Sequence, residues 1–326
     1  MWSIIHQQLV LLIKEHDLVK NSNILLALSG GQDSLCLLQI FKDIQIEYIF
    51  SIDIIHFNHQ WRIDATQNMF LIAQLSMYLK MSRYLYTMPV GIMDEMTSRQ
   101  WRYKLVYFLS IQKKYTMIMT AHTATDKAEV FFLNLLRGSP LETLISLVIL
   151  NQLTSKLVVY RPLLFCNRSD IYWFCRKFFL PVWSDSTNYN YGMVRNRIRE
   201  EFIPYLMQYF NLKIEKYINY IVSIIYNDYE YLQYIALYFY YRSRHIRFAA
   251  LYRKIMIVLH SSIRYRILKI LLKEYVNLQI YKKLMLLISH KQHDNNNIIL
   301  RHIIYQDSCL IGLYIDNNWL YFVSSN

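Results

Sequence analysis

Ile24-Leu25-Leu26-Ala27-Leu28-Ser29-Gly30-Gly31-Gln32-Asp33-Ser34-Leu35-Cys36-Leu37-Leu38 is the stretch that decides the fold. An apolar run enters it, a glycine pair turns it, and an apolar segment of helical type, Leu35 to Phe41, leaves it. The reading is strand, tight loop, helix. Gly30 and Gly31 let backbone N–H groups point inward with no side chain blocking a ligand. Ser29 and Ser34 add hydroxyl donors, and the helix beginning near Ser34 directs its positive end at the same spot. Such a loop holds an anion. Asp33 is the odd member, because a carboxylate repels phosphate. It fits if Mg²⁺ lies between them, since Mg²⁺ takes few protein carboxylates and completes its shell with phosphate oxygens and water. The alternative is a plain glycine turn with Asp33 and Ser34 as helix caps. Two serines and an aspartate in a strand–helix frame favour the anion site.

Outward from this loop, the chain alternates strands and helices. Residues 2–18 read as an amphipathic helix, Ile46 to Phe57 as a buried strand, and Asp64 caps a helix running to about Lys80. Tyr84 to Met88 is a short strand, Thr97 to about Lys114 a helix, Tyr115 to Ala121 a strand, and Asp126 to about Arg137 a helix. Val158 to Leu164 reads as a strand and Arg168 to Phe179 as a helix. This alternation predicts an α/β fold, a mostly parallel sheet with helices on both faces. Ligands then bind at the carboxyl ends of the strands, where the segments after Leu28, Phe57 and Ala121 all lie. Residues 211–290 read as mostly helical, and Ile298 to Val323 as short strands around an Asp316-Asn317-Asn318 turn. The expected division is a catalytic domain over 1–205 and a basic, mainly helical region over 206–326.

The chain has 326 residues and a formal net charge of +13, enough length for two domains. From Arg195 onward there are 18 Lys/Arg against 9 Asp/Glu, a net of +9; residues 1–194 carry 18 against 14, a net of +4. A basic, tyrosine-rich tail suits a nucleic-acid partner. The four cysteines form no C-x-x-C pair, which speaks against a zinc knuckle or redox motif and for a reducing compartment. No run approaches the ~20 apolar residues of a membrane span, and charged residues interrupt the N-terminus too early for a signal peptide. The 29 tyrosines and the Ile/Asn/Lys-rich texture suggest an AT-rich genome, such as a plastid or a reduced bacterium.

A second constellation is Thr120-Ala121-His122-Thr123-Ala124-Thr125-Asp126-Lys127-Ala128-Glu129. His122 ends a strand, while Asp126 and Glu129 lie one turn apart on a common helix face. Two carboxylates beside a histidine suit an ammonium group or a metal. For Asp126 a helix cap is the competing reading.

The loop Ser29 to Ser34 resembles the S-G-G-x-D-S pyrophosphate loop of the N-type ATP pyrophosphatases. His122, Asp126 and Glu129 followed by Leu135-Leu136-Arg137-Gly138, with the later Arg195-Asn196-Arg197-Ile198-Arg199, narrow the resemblance to the tRNA(Ile)-lysidine synthases. His56 to Arg62, Arg99 to Tyr103, Arg161 to Leu164 and Asp185 to Asn188 also match, so the likeness spans roughly residues 20–205. The family pattern carries two adjacent acids after the histidine; here Thr125 stands in place of the first and Lys127 in place of a glutamine.

The resemblance implies a ligase that adenylates C2 of the wobble cytidine of tRNA(Ile) bearing a CAU anticodon, then joins L-lysine there. A tRNA thiolase is the alternative. By resemblance, Ser29, Gly30, Gly31, Gln32, Asp33 and Ser34 bind ATP, and Asp33 holds Mg²⁺. Arg102 contacts ATP or the cytidine, or is an ordinary helix arginine. His122, Asp126 and Glu129 surround lysine. Arg195, Arg197 and Arg199 bind tRNA phosphate or cap the domain junction. His56 and His59 have a structural role at the strand end. No membrane partner is expected, a homodimer is left open, and the expected location is the plastid stroma or otherwise a bacterial cytoplasm.

Overall fold

The computed structural model describes residues 2–16, 21–60, 64–89, 95–183, 194–272, 302–306, 309–315 and 318–325. The motif residues Trp61, Arg62 and Asp185 to Asn188, and the turn residues Asp316 and Asn317, lie outside them. The chain divides into two compact units, Met1–Ser223 and Ile224–Asn326. The glycine loop lies in the first.

That unit runs α1 (Ile4–His16), β1 (Asn23–Ala27), α2 (Gln32–Ile44), β2 (Ser51–Asn58), α3 (Ala65–Tyr78), β3 (Arg83–Thr87), α4 (Glu95–Gln112), β4 (Met117–Met119), α5 (Ala124–Leu136), α6 (Leu141–Leu144), β5 (Leu150–Thr154), β6 (Leu157–Tyr160), α7 (Arg168–Lys177), α8 (Val194–Arg197) and α9 (Ile203–Tyr209). The sheet order is β3-β2-β1-β4-β6-β5. All neighbours are parallel except the β5–β6 pair. The parallel sheet expected from the sequence is therefore present, with one antiparallel edge strand added.

Strand periodicity sorts the core. In β1, Ile24 and Leu26 pack with Leu9, Ile13, Leu37, Ile40, Phe41 and Phe174 from the helices on one face. Leu25 faces the other way, onto Val106 and Leu109 of α4. The two residues next to Leu25 are fully buried, so β1 is covered on both faces. Sequence neighbours of β1 depart to opposite sides of it, toward β2 and toward β4, which makes the end of β1 a topological switch point.

Several boundaries differ from the sequence reading. The run from Ile46 is not strand throughout; Ile46 and Ile49 are 88% and 75% exposed, and β2 begins at Ser51. Arg161 to Leu164 does not continue β6, because Pro162 begins a 3-10 turn, Pro162–Phe165. The loop helix starts two residues early, at Gln32 with Gly31 as N-cap, so Asp33 and Ser34 sit inside its first turn and are not its caps. Asp64 occupies the N-cap position of α3, yet its side chain makes no cap hydrogen bond.

Helix α10 (Ile214–Ser243) contains the division between the units. The second unit continues with β7 (Ala250–Tyr252), α11 (Arg253–Val258), α12 (Ser261–Leu272), β8 (His302–Gln306), β9 (Cys309–Ile315) and β10 (Trp319–Ser325). Its core gathers Ala236, Leu251, Met256, Ile267, Leu268, Leu320 and Phe322. The expected strands at the chain end are present and form an antiparallel sheet of order β7-β10-β9-β8. Strand β7 has no counterpart in the sequence reading. No helix among the described residues is long and apolar enough to cross a membrane.

Candidate active site

The Ser29–Ser34 loop is held by its own hydroxyls. Ser34 Oγ accepts from Ser29 N at 3.2 Å, donates to Gly31 O at 2.9 Å, and lies 3.0 Å from Ser29 Oγ. Two remote residues brace the turn. Asn68 Nδ2 donates to Ser29 O at 2.9 Å, and Trp183 N donates to Gly30 O at 3.0 Å. Gly30 has φ +89°, and a Cβ there would lie 2.2 Å from Asn68 Oδ1. Only glycine satisfies both constraints. His56, buried at the end of β2, donates from Nδ1 to Leu28 O at 2.8 Å and so fixes the end of β1 where the loop leaves.

Asp33 Oδ1 is buried without a hydrogen-bond partner. Burial, and next the nearby Asp126 carboxylate, push the Asp33 carboxyl up to about 6, against the pull of Arg168, Gln32 and Arg199. A desolvated carboxylate beside a second carboxylate is a place that a cation stabilises. Among the described residues no cluster of three or more His, Cys, Asp or Glu side chains is arranged for a metal. Mg²⁺ bound through substrate phosphates needs only one or two carboxylates, so the donor set fits that ion.

At the end of β4, Thr123 opens α5 with a reciprocal capping box. Asp126 Oδ2 accepts from Thr123 N at 2.9 Å and Thr123 Oγ1 at 3.0 Å, and Asp126 N donates back to Thr123 Oγ1 at 3.3 Å. The other oxygen, Oδ1, accepts from Arg195 Nη2 at 3.1 Å and Arg199 Nη2 at 3.2 Å. Asp126 is thus both a cap and an ion-pair partner. Glu129, fully buried, accepts from Arg195 Nε at 2.9 Å, from Arg199 Nη2 at 3.0 Å, and from Arg199 Nε. Arg195 and Arg199 are four residues apart on one face, at the junction of α8 with a π turn, Ile198–Phe202. Arg197 points elsewhere, exposed and 3.4 Å from Glu201.

The structure therefore brings Asp33, His122, Asp126, Glu129, Arg195 and Arg199 into one electrostatic cluster. Arg161 belongs to its surroundings: buried, it donates from Nη1 to Val148 O at 3.0 Å. Sequence reasoning missed Asn68, Trp183 and Glu215, which reach the site from distant elements.

His122 Nδ1 lies 3.0 Å from Thr120 Oγ1. Burial lowers its pKa to about 4, with Asp126 opposing and Arg161, Arg195 and Arg99 adding to the drop. The folded value lies below the unfolded 6.5, so the unfolded chain binds the extra proton between the two values. Stability is then lost as pH falls from 6.5 toward 4. The imidazole resonances of His122 should show no protonation above pH 5, and His122→Asn should remove part of the acid sensitivity of the melting temperature.

A PP-loop domain model, of an ATP-binding type, matches residues 1–206. The chain is 37% identical over 327 residues to the chloroplastic tRNA(Ile)-lysidine synthase of Pyropia yezoensis, covering 98% of this chain and 95% of that one. It is 37% identical to the chloroplastic tRNA(Ile)-lysidine synthase of Gracilaria tenuistipitata var. liui, covering 87% and 91%. It is 37% identical to the tRNA(Ile)-lysidine synthase of a Nostoc species, covering 71% and 68%. Its fold resembles the solved structure of a U34-tRNA thiolase from Methanococcus maripaludis, with a TM-score of 0.56 and 13% identity over 67% of this chain and 78% of that one, a likeness of fold alone. A matching PP-loop domain and relatives aligned along nearly the whole of both chains lead to one conclusion: this protein belongs to the tRNA(Ile)-lysidine synthase family.

Proposed function

We propose that the protein joins L-lysine to C2 of the wobble cytidine of tRNA(Ile) with a CAU anticodon, using ATP and Mg²⁺ and releasing AMP and pyrophosphate. The observation that carries this reading is the buried, unpartnered Asp33 Oδ1 beside Asp126 in an anion-holding loop. Ser29, Gly30, Gly31, Gln32 and Ser34 bind the pyrophosphate end of ATP. Asp33 holds Mg²⁺, which when bound neutralises phosphate charge. The cytidine C2 oxygen attacks the α-phosphate, pyrophosphate leaves from the loop, and Arg102 orients ATP or the base.

The lysine ε-amine then attacks C2 and AMP leaves. Asp126 and Glu129 hold the incoming ammonium, and His122, neutral at pH 7, offers a ring nitrogen to the amine. Arg195 and Arg199 occupy the same carboxylate oxygens. In this reading the ammonium takes the place of a guanidinium, and the displaced arginine turns to tRNA phosphate. Arg197, already exposed, contacts the tRNA backbone. Cys36, Cys166 and Cys175 are buried free thiols with no C-x-x-C pair, which favours lysine transfer over sulfur transfer. The chloroplastic relatives and the AT-rich texture support a plastid stroma location.

Incubation with ATP, labelled lysine and tRNA transcripts tests the reaction. Lysine should enter only a tRNA(Ile) with a CAU anticodon, with one AMP and one pyrophosphate per lysine. Lysine-independent modification, or none, would overturn it.

The basic second unit is assigned to tRNA. Arg242 and Arg244 lie over the Tyr238 and Tyr241 rings, 4.6 and 4.8 Å from the centroids, and both arginines are exposed. Reversing charge at Arg242, Arg244 and Arg247 should weaken tRNA binding and reduce the slope of log affinity against log salt by about 1 for each phosphate no longer engaged. Filter binding at several salt concentrations measures both; an unchanged slope and affinity would free these positions of the role.

A further inference from the structure

Helix α10 begins against the start of α5. Asn219 Nδ2 donates to Ala124 O at 3.2 Å, and Lys127 Nζ donates to Ser223 Oγ at 3.4 Å. One turn earlier on the same line of α10, Thr125 Oγ1 donates to Glu215 Oε2 at 3.5 Å. Glu215 is thereby held half-buried next to the residues that open α5. Its carboxyl is pushed above the ordinary range by burial first, and by Glu129 and Asp126, against the Thr125 hydrogen bond and Arg168.

The charges of the cluster do not all match. Asp126 and Glu129 face Arg195 and Arg199, two anions against two cations. Among the described residues, Asp33 and Glu215 form no salt bridge, and the charge of Arg168, which acts on both, is shared between them. Asp33 is assigned to the metal. Glu215 then has the charge and the partial exposure for a cation that arrives with the substrate. Free lysine brings two. Asp126 and Glu129 already take the ε-ammonium, which loses its proton before it attacks. The α-ammonium stays charged throughout and needs such a partner.

We propose that Glu215 binds the α-ammonium of the lysine substrate, with Thr125 fixing its carboxylate. This rests on the reading of lysine as co-substrate. It adds a recognition residue from outside the 1–206 domain match, and it makes the site selective for an amine that also carries an α-ammonium.

The test uses the full chain with tRNA(Ile) transcript, ATP, and either lysine or 6-aminohexanoate, which keeps the nucleophile and lacks the α-ammonium. Glu215→Gln should raise the KM for lysine about 10–100-fold, the range for losing one hydrogen bond to a charged group. Its KM for ATP, its pyrophosphate release without lysine and its kcat/KM for 6-aminohexanoate should match wild type. Moving the charge across the hydrogen bond, in Thr125→Asp combined with Glu215→Gln, should recover the lysine KM, which a merely structural role would not allow. A lysine KM within twofold of wild type in Glu215→Gln, an equal decline for both amines, or no recovery in the double variant would overturn the proposal while lysidine formation by wild type keeps the underlying reading. A wild-type protein that incorporates no lysine would overturn both.

Discussion

Asp33→Asn is expected to abolish pyrophosphate release and, at the same time, to make the protein more stable at pH 7.5. The Asp33 carboxyl ionises at about 6 in the folded chain and 3.8 in the unfolded one. Below 3.8 it is neutral in both states. As pH rises through this window the unfolded chain loses its proton first, so stability falls, and above pH 6 the whole cost is present. A shift of this size corresponds to roughly 2–3 kcal/mol. Asparagine has the same shape without the charge. Its melting temperature should exceed wild type by several degrees near pH 7.5, with the difference shrinking as pH falls toward 4. Turnover should drop by at least ~10²-fold, the scale of losing a charge at a phosphate-bound metal. Mg²⁺ with ATP should raise the melting temperature of wild type far more than that of the variant. A less stable variant, or one that forms lysidine at the wild-type rate, would refute the role.

Glu129→Gln should have the opposite effect on stability. Glu129 is 0% exposed and is held by both Arg195 and Arg199, whose side chains are 31% and 14% exposed. Neutralising it leaves two guanidiniums facing the single Asp126 Oδ1. Breaking a buried pair from one side costs about 3–5 kcal/mol, because the remaining charge is stranded. Arg199→Met should restore part of that stability in the Glu129→Gln background, and urea unfolding of the four proteins in a double-mutant cycle measures the coupling. Strict additivity, or a destabilisation under ~1 kcal/mol, would mean that the cluster is solvated in solution. The Arg197–Glu201 pair is the internal control. With side chains 63% and 53% exposed, its removal should change stability by no more than about 0.5 kcal/mol. In the same Glu129→Gln protein the KM for lysine should rise far more than that for ATP.

The sheet was legible because β1 and β2 are apolar runs that end in chemistry-bearing loops, and because helical and strand periods alternate. Strand β5 was not, since three of its five residues, Asn151, Gln152 and Leu153, are exposed on an edge and carry no apolar alternation. Strand β7 is three residues long and offers too little pattern to read. At the site, the glycine loop and the helix face of Asp126 and Glu129 are local features and show in the sequence. Their partners are not. Arg195 and Arg199 meet those carboxylates through tertiary placement alone, so the same arginines read equally well as phosphate ligands. Glu215 and Thr125 are an acid and a hydroxyl of ordinary types, and only the packing of α10 on α5 gives them a joint meaning.

The bracing of Gly30 by Trp183, and of Asp126 and Glu129 by Arg195 and Arg199, also sets a schedule for synthesis. The ion pairs close over sequence separations of 66 to 73 residues. On the ribosome, β1 and its loop emerge early, but the brace waits for Trp183, and the ion pairs wait for Arg195 and Arg199, to clear the exit tunnel. For Glu129 the delay, over the 66 to 70 residues to its arginines, is on the order of 3–14 s at ~5–20 residues per second. During it, Glu129 has no cation to be buried with, and the start of α5 has reason to stay open to water. A nascent chain arrested before Arg195 should therefore resist neither protease at α5 nor exchange at the loop amides, whereas one arrested well beyond Arg199 should resist both.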